Sequence, residues 1–210
     1  MPPGIRRAAW DTDVNLSVFP AVPREQSKAL PGDLAMWFFI FAELLVFGIF
    51  FVLYAFTRAR NVEIFNASQL GLDRVSGVIN TVLLVTSSYF VVRAVEQIRQ
   101  GGNKAGARWL IAAMLCGAAF LVLKLFEFGA KVEAGISMST NTFYMFYLFL
   151  GFFHFMHVVL GMVILGAVAL KAWRGGYSVA EHGGVETGGA YWHMVDLVWI
   201  VLFPLIYVLH

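Results

Sequence analysis

The chain is 210 residues long with a formal net charge of +2, and 60% of its residues are hydrophobic while only 13% carry charge. A mean hydropathy of +0.74 lies far outside the range of a water-soluble fold, so the membrane class comes first. The near-neutral balance offers no basic face for nucleic acid. A single cysteine, Cys116, excludes a disulfide framework or a cysteine-based metal site within the chain and reads as a small buried hydrophobe.

Residues 1–32 read as a polar tail. The start MPPGIRR lacks the apolar core of a signal peptide, so no cleavage is expected, and prolines at 2, 3, 20, 23 and 31 favour an extended or partly disordered segment at the membrane surface. Residues 33–210 then form the membrane domain. A crossing helix needs about 20 apolar residues. Five stretches qualify, running approximately Leu34 to Phe56, Val75 to Val92, Trp109 to Phe128, Phe143 to Leu170 and Ala190 to Leu209. The expected fold class is therefore all-α, an integral membrane bundle of five transmembrane helices. Connections such as TRARNVEIFNASQLGLDR and RQGGNKAGAR carry the charges and the turn-forming Gly and Asn, and read as loops. Pro204 is expected to kink the fifth span in its outer half.

Cationic flanks stay cytoplasmic. Ten basic residues fall on one side: Arg6, Arg7, Arg24 and Lys28 in the tail, Arg93, Arg99, Lys104 and Arg108 around the second connection, Lys171 and Arg174 after the fourth span. Four fall on the other, namely Arg58, Arg60, Arg74 and Lys131. The amino terminus is expected in the cytoplasm and the carboxyl terminus in the periplasm.

An ionisable group at the bilayer centre costs about 2.5 to 3.5 kcal/mol even on the mild insertion scale, so each needs a partner or a wet cavity. Glu43 lies ~15 Å into the first span at ~1.5 Å per residue, too deep to reach the interface. Lys124 and Glu127 sit three apart near the end of the third span, a spacing that allows an ion pair, read as snorkelling toward the interface. In GFFHFMHVVLG, His154 and His157 share one helical face, and in YWHMVDLVWI so do His193 and Asp196. A histidine in a dry interior can donate a ring N–H to an aspartate, each reducing the other's desolvation cost, so the second pair is expected to face inward. In the second span Gly77, Asn80, Thr81, Ser87 and Ser88 cluster on one side, a stripe of small and hydroxylated residues that lets helices approach closely.

Metal is not expected. His154 and His157 leave one face of one helix and cannot take opposite axial positions of a haem, so bis-histidine ligation would need His193. Copper or non-haem iron would want two histidines plus a carboxylate, for which Glu43 is the mid-depth candidate. Phosphate loops and nucleophile elbows are missing as well.

Taken together, MWFFIFAELLVFGIFF, INTVLLVTSS, FEFGAKVEAG, FHFMHVVLG and YWHMVDLVWI resemble subunit III of the haem-copper oxidases, over roughly residues 31 to 209. The long form of that subunit has seven helices, and this sequence is similar to the short form beginning at the third. Within the short forms, PGDLAMWFF most resembles the accessory protein of bacterial nitric oxide reductase, the NorE type. The short subunit III of a cytochrome c or quinol terminal oxidase is the alternative. The resemblance implies a non-catalytic accessory subunit without haem or copper. Such a subunit packs beside the haem-copper catalytic subunit, supports proton delivery and stability through turnover, and holds phospholipid. It places Glu43 on the family's buried glutamate, His154 and His157 on its paired histidines, His193 and Asp196 on its final-helix pair and Glu127 on the glutamate of FEF. The family's lipid cleft involves two helices that have no counterpart here. Instead, the apolar face they would cover is expected to take a small two-helix membrane protein or a second copy of the chain. A transporter is the competing class, since intramembrane acids and histidines also mark proton routes. Inverted repeats or discontinuous helices would mark one, and the sequence displays neither.

Overall fold

The computed structural model describes residues 34–209. The expected tail, its basic residues and prolines, the boundary at residues 32 and 33, and His210 lie outside the described residues. The chain forms α1 (Leu34–Arg60), α2 (Val62–Leu70), α3 (Arg74–Arg99), α4 (Asn103–Glu133), α5 (Thr142–Trp173), α6 (Gly183–Phe203) and a π-helical turn at Pro204–Val208. No strand occurs among the described residues. The protein is an all-α membrane bundle, and five of its helices, α1, α3, α4, α5 and α6, are long and apolar enough to cross a bilayer.

Four of these close a ring in the order α3, α4, α5, α6, with α6 returning to α3, and α1 lies outside it against α6 and α5. One end of the bundle carries α2, the α4–α5 loop and the π-helical turn, and the opposite end carries the α3–α4 and α5–α6 connections. α1 buries only Ile40, Phe47 and Tyr54, one residue every two turns, so it touches the ring along a single stripe. α6 buries eleven of its 21 residues and is the best-enclosed helix.

The ring closes tightly because its contact points are glycines. The Trp192 indole of α6 lies between Gly117 of α4 and Gly161 of α5, where an added Cβ would come within 2.9 Å and 2.8 Å of the ring. Gly188 and Gly189 bring α6 against Ile164 and Val168 of α5 and Val91 and Val95 of α3. This packing explains a boundary that the sequence reading placed differently. GGVETGG has poor intrinsic helix propensity and was expected outside the fifth span, yet α6 begins at Gly183. Close approach of the backbone between helices outweighs the propensity.

The expected loop after the first span instead contains α2, a nine-residue helix. Phe65 and Gln69, four apart, are its buried face. Phe65 packs edge-on against Tyr54 and Phe143 at 5.3 and 5.5 Å between ring centres. The connection RQGGNKAGAR is likewise half helical, since α4 starts at Asn103. At Pro204, where a kink was expected, the α-helix gives way to a different hydrogen-bonding pattern. Lacking an N–H, the proline leaves the regular ladder one donor short, and the chain widens into a π-helical turn in which Leu209 N–H donates to Pro204 O at 2.9 Å. Gln69 supports that turn from α2 by donating Nε2 to Ile206 O at 2.9 Å.

Candidate functional site

Glu43 of α1 and His157 of α5 meet with Oε2 and Nε2 3.1 Å apart. The His157 Nδ1 is 2.8 Å from Phe153 O, its own helix's carbonyl one turn back. A carbonyl only accepts, so Nδ1 carries a hydrogen, and the Glu43 contact then needs one proton on Nε2 or on the carboxyl. Either placement leaves the pair neutral overall. That is the form in which two ionisable groups are best tolerated in hydrocarbon. Phe47 and Phe153 flank the imidazole edge-on at 5.2 and 4.7 Å.

His154 shares the face but not the partner. It is fully buried among Phe47, Phe120 and Trp199, and neither ring nitrogen has a hydrogen-bond partner. Glu43 therefore meets His157 and not His154.

The structure does not bring His193 and Asp196 together by a direct bond. Ser88 of α3 meets His193, with Oγ 2.6 Å from Nδ1, while Asp196 is buried with its Oδ1 unpartnered. The sequence placed Ser88 in the packing stripe, and nothing in its spacing singled it out as the partner of His193. The rest of that stripe is equally busy. Gly77 lets Phe203 and Tyr207 approach, and Thr81 Oγ donates to Gly77 O at 2.9 Å while accepting Trp199 Nε1–H at 3.0 Å. Ser87 donates to Ala113 O of α4 at 2.8 Å. Asn80 is buried with both amide atoms unpartnered.

Lys124 and Glu127 do not snorkel. Their side chains are 2% and 7% exposed and 2.9 Å apart, and they form a cluster at the α2 end of the ring. Tyr147 of α5 and Tyr207 of the π-helical turn both donate to Glu127 Oε1. Lys124 also donates to the Tyr207 hydroxyl at 2.7 Å and lies over the Trp199 ring at 5.1 Å. The carboxylate thus receives three donors from three elements, which is what a buried ion pair requires. Sequence reading found the pair from its spacing but missed both tyrosines, because an aromatic hydroxyl in an apolar run gives no signal of its own.

At the opposite end Arg99 of α3 grips Glu186 of α6, with Nε at 2.8 Å from Oε1, and His182 Nε2 joins the same oxygen at 3.2 Å. Among the described residues no group of three His, Cys, Asp or Glu side chains is placed to hold a metal ion. The crossing helices run unbroken until the π-helical turn, unlike the interrupted helices of transporters. These groups link helices in pairs: α1 to α5, α3 to α6, and α4 to α5 and the π-helical turn.

A family model described as cytochrome c oxidase subunit III matches residues 27–210. Among curated proteins, the chain is 31% identical over 178 residues to cytochrome c oxidase subunit 3 of Thermostichus vulcanus, covering 84% of this chain and 86% of that one. It is 28% identical over 183 residues to quinol oxidase subunit 3 of Bacillus subtilis, with 84% and 86% covered. It is also 29% identical over 182 residues to heme-copper oxidase subunit I+III of Aeropyrum pernix, covering 82% of this chain and 22% of that longer protein.

Proposed function

This chain belongs to the cytochrome c oxidase subunit III family, and we propose that it is the accessory subunit III of a bacterial haem-copper terminal oxidase fed by cytochrome c or quinol. The observation that carries this reading is the family match over residues 27–210, together with relatives named as cytochrome c and quinol oxidase subunits. The chain carries no catalytic centre or cofactor in this proposal. It packs beside the catalytic subunit, a partner favoured by the relative whose name joins subunits I and III. The outer face of α1, where Phe38, Phe41, Leu45 and Val52 are exposed, is then covered by a small two-helix membrane protein or by lipid. The protein sits in the bacterial cytoplasmic membrane with its amino terminus inside, as the bias of basic residues favours. Glu43 with His157 clamps α1 to α5, and Ser88 with His193 ties α3 to α6.

A tagged chain is expected to co-purify with a haem-copper subunit. Membranes lacking the chain are expected to lose oxygen consumption at least threefold faster during turnover than complemented membranes. Loss of nitric oxide consumption with oxygen consumption intact would instead favour the second reading, a NorE-type accessory of nitric oxide reductase, which the segment PGDLAMWFF supports. A chain that purifies alone, with both activities unchanged by its deletion, would sink both.

A further inference from the structure

At the end of the bundle opposite α2, the cations of the described residues fall into two sets. Arg93 and Arg99 of α3 are matched by Glu96 and Glu186, and the Lys171 ammonium of α5 lies 4.6 Å from the centre of the Tyr177 ring. Lys104 and Arg108 of α4 and Arg174, just past α5, are the other set. All three are exposed, and among the described residues none has a carboxylate partner.

The unmatched cations are gathered in one place. Lys104 and Arg174 line a cavity of about 400 Å³ between the α3–α4 turn and the carboxyl end of α5, together with Trp173, Asn103, Ala105 and glycines of the two turns. Among the described residues no carboxylate lines it. Two cations across a small cavity make a site for a compact anion, and phosphate suits the planar donor fork of an arginine. Residues 1–33 carry Arg6, Arg7, Arg24 and Lys28 against Asp11, Asp13, Glu25 and Asp33, so the tail brings no net charge to neutralise it.

The surface below the cavity selects the kind of anion. On α4, Lys104, Arg108, Ile111 and Leu115 follow at steps of four, three and four residues, and all are exposed. On α5 the same steps run through Val163, Ala167, Leu170 and Arg174, again all exposed, with the cation last. Residues at such spacings share a helical face. Because the two helices are antiparallel neighbours, both tracks put their cations at the same end and apolar side chains beneath them. Trp173 is 53% exposed beside the cavity, where an indole suits the membrane–water boundary. A soluble phosphate or an acidic peptide would use only the cations, whereas a phospholipid uses the cations and both apolar tracks. A zwitterionic headgroup would bring an ammonium toward three positive charges, so a headgroup with net negative charge is favoured.

We propose that this cavity seats the phosphate of an anionic phospholipid between Lys104 and Arg174, with Arg108 beside it and the acyl chains lying along α4 and α5. Every wall of the site comes from this chain, so its occupancy is measurable whichever oxidase the chain serves.

The test places the full chain in phosphatidylcholine vesicles and replaces that lipid stepwise by dibrominated phosphatidylglycerol or, in a parallel series, by dibrominated phosphatidylcholine. Bromine quenches a nearby indole, and the readout is the part of the quenching that disappears in Trp173→Phe. The expected result is a preference of about tenfold for phosphatidylglycerol, weakened by high salt. Lys104→Gln with Arg174→Gln is expected to remove the preference at an unchanged melting temperature, since neither side chain holds a partner in the fold. Lys104→Arg with Arg174→Lys keeps both charges and is expected to retain it. Arg60→Gln, at the other end of the bundle, is expected to change nothing.

Equal quenching by the two lipids, or a preference that survives loss of both cations, would overturn the proposal. Displacement of the lipid by millimolar inorganic phosphate would do so too, by making this a soluble-anion site. So would a preference that appears only in Asp11→Asn with Asp13→Asn, which would make the acidic part of the tail the occupant.

Discussion

Glu43 and His157 face each other across 3.1 Å between α1 and α5 and hold a single proton between them, because Phe153 O fixes the hydrogen on the far ring nitrogen. α1 has so little buried surface that this bond is a large share of its attachment. Glu43→Gln keeps a hydrogen-bonding group at the same place and is expected to leave thermal stability in detergent nearly unchanged. Glu43→Leu is expected to cost about 0.6 to 2 kcal/mol and to expose the α1–α2 junction to protease. Equal stability of the Leu and Gln variants would remove the clamp.

The two histidines of α5 are expected to respond in opposite ways. His157→Phe strands Glu43 in the membrane and lowers stability. His154→Phe replaces a ring whose nitrogens bond nothing with one that suits Phe47, Phe120 and Trp199, so stability is expected to hold or rise. Melting curves of both variants in one detergent decide it, and a large loss for His154→Phe would mean that this ring has a polar partner after all.

The Lys124 cluster is expected to be strongly non-additive. Lys124→Met leaves Glu127 buried with only the tyrosine donors, a loss of about 3–5 kcal/mol. Adding Glu127→Gln is expected to recover more than half of it, since no unpaired charge remains. Tyr207→Phe removes one donor and is expected to cost about 1.5–3 kcal/mol, the range for a bond to a charged group. A double-mutant cycle by denaturant unfolding in micelles measures the coupling, and additive losses would contradict it.

Gly161→Ala is expected to destabilise the ring by about 1–3 kcal/mol, because its Cβ would meet the Trp192 indole at 2.8 Å. Trp192→Leu in the same chain is expected to return part of that loss. Gly48→Ala, where nothing lies within 4 Å, serves as the control and is expected to be neutral or stabilising. Equal effects at the two glycines would show that helix propensity, not close contact, sets the cost.

Hydropathy alone located all five crossing helices, since lipid demands a long apolar run and little else in this chain provides one. The cost of charge in lipid singled out Glu43, His157, Lys124, Glu127, His193 and Asp196 before any distance was known. Partner choice was less legible. That His157 and not His154 meets Glu43 depends on how α1 rotates along one narrow stripe, and that Ser88 meets His193 depends on how α3 packs against α6. α2 was hidden because its charged, Asn-bearing sequence matches a loop, and only burial of Phe65 and Gln69 against distant residues makes it a helix. The start of α6 was hidden for the converse reason, as glycines that discourage a lone helix are what a crowded interface demands.

Because α6 follows the other four spans in the chain yet is the best-enclosed of them, the ring has no finished interior while the ribosome is still making residues before Gly183. Until then, the glycine notches of α4 and α5 and the hydroxyls of α3 wait in the bilayer without their partner. Biogenesis should therefore hinge on capture of the last segment to leave the translocon, and a premature stop ahead of it should send the unfinished helices to membrane proteases.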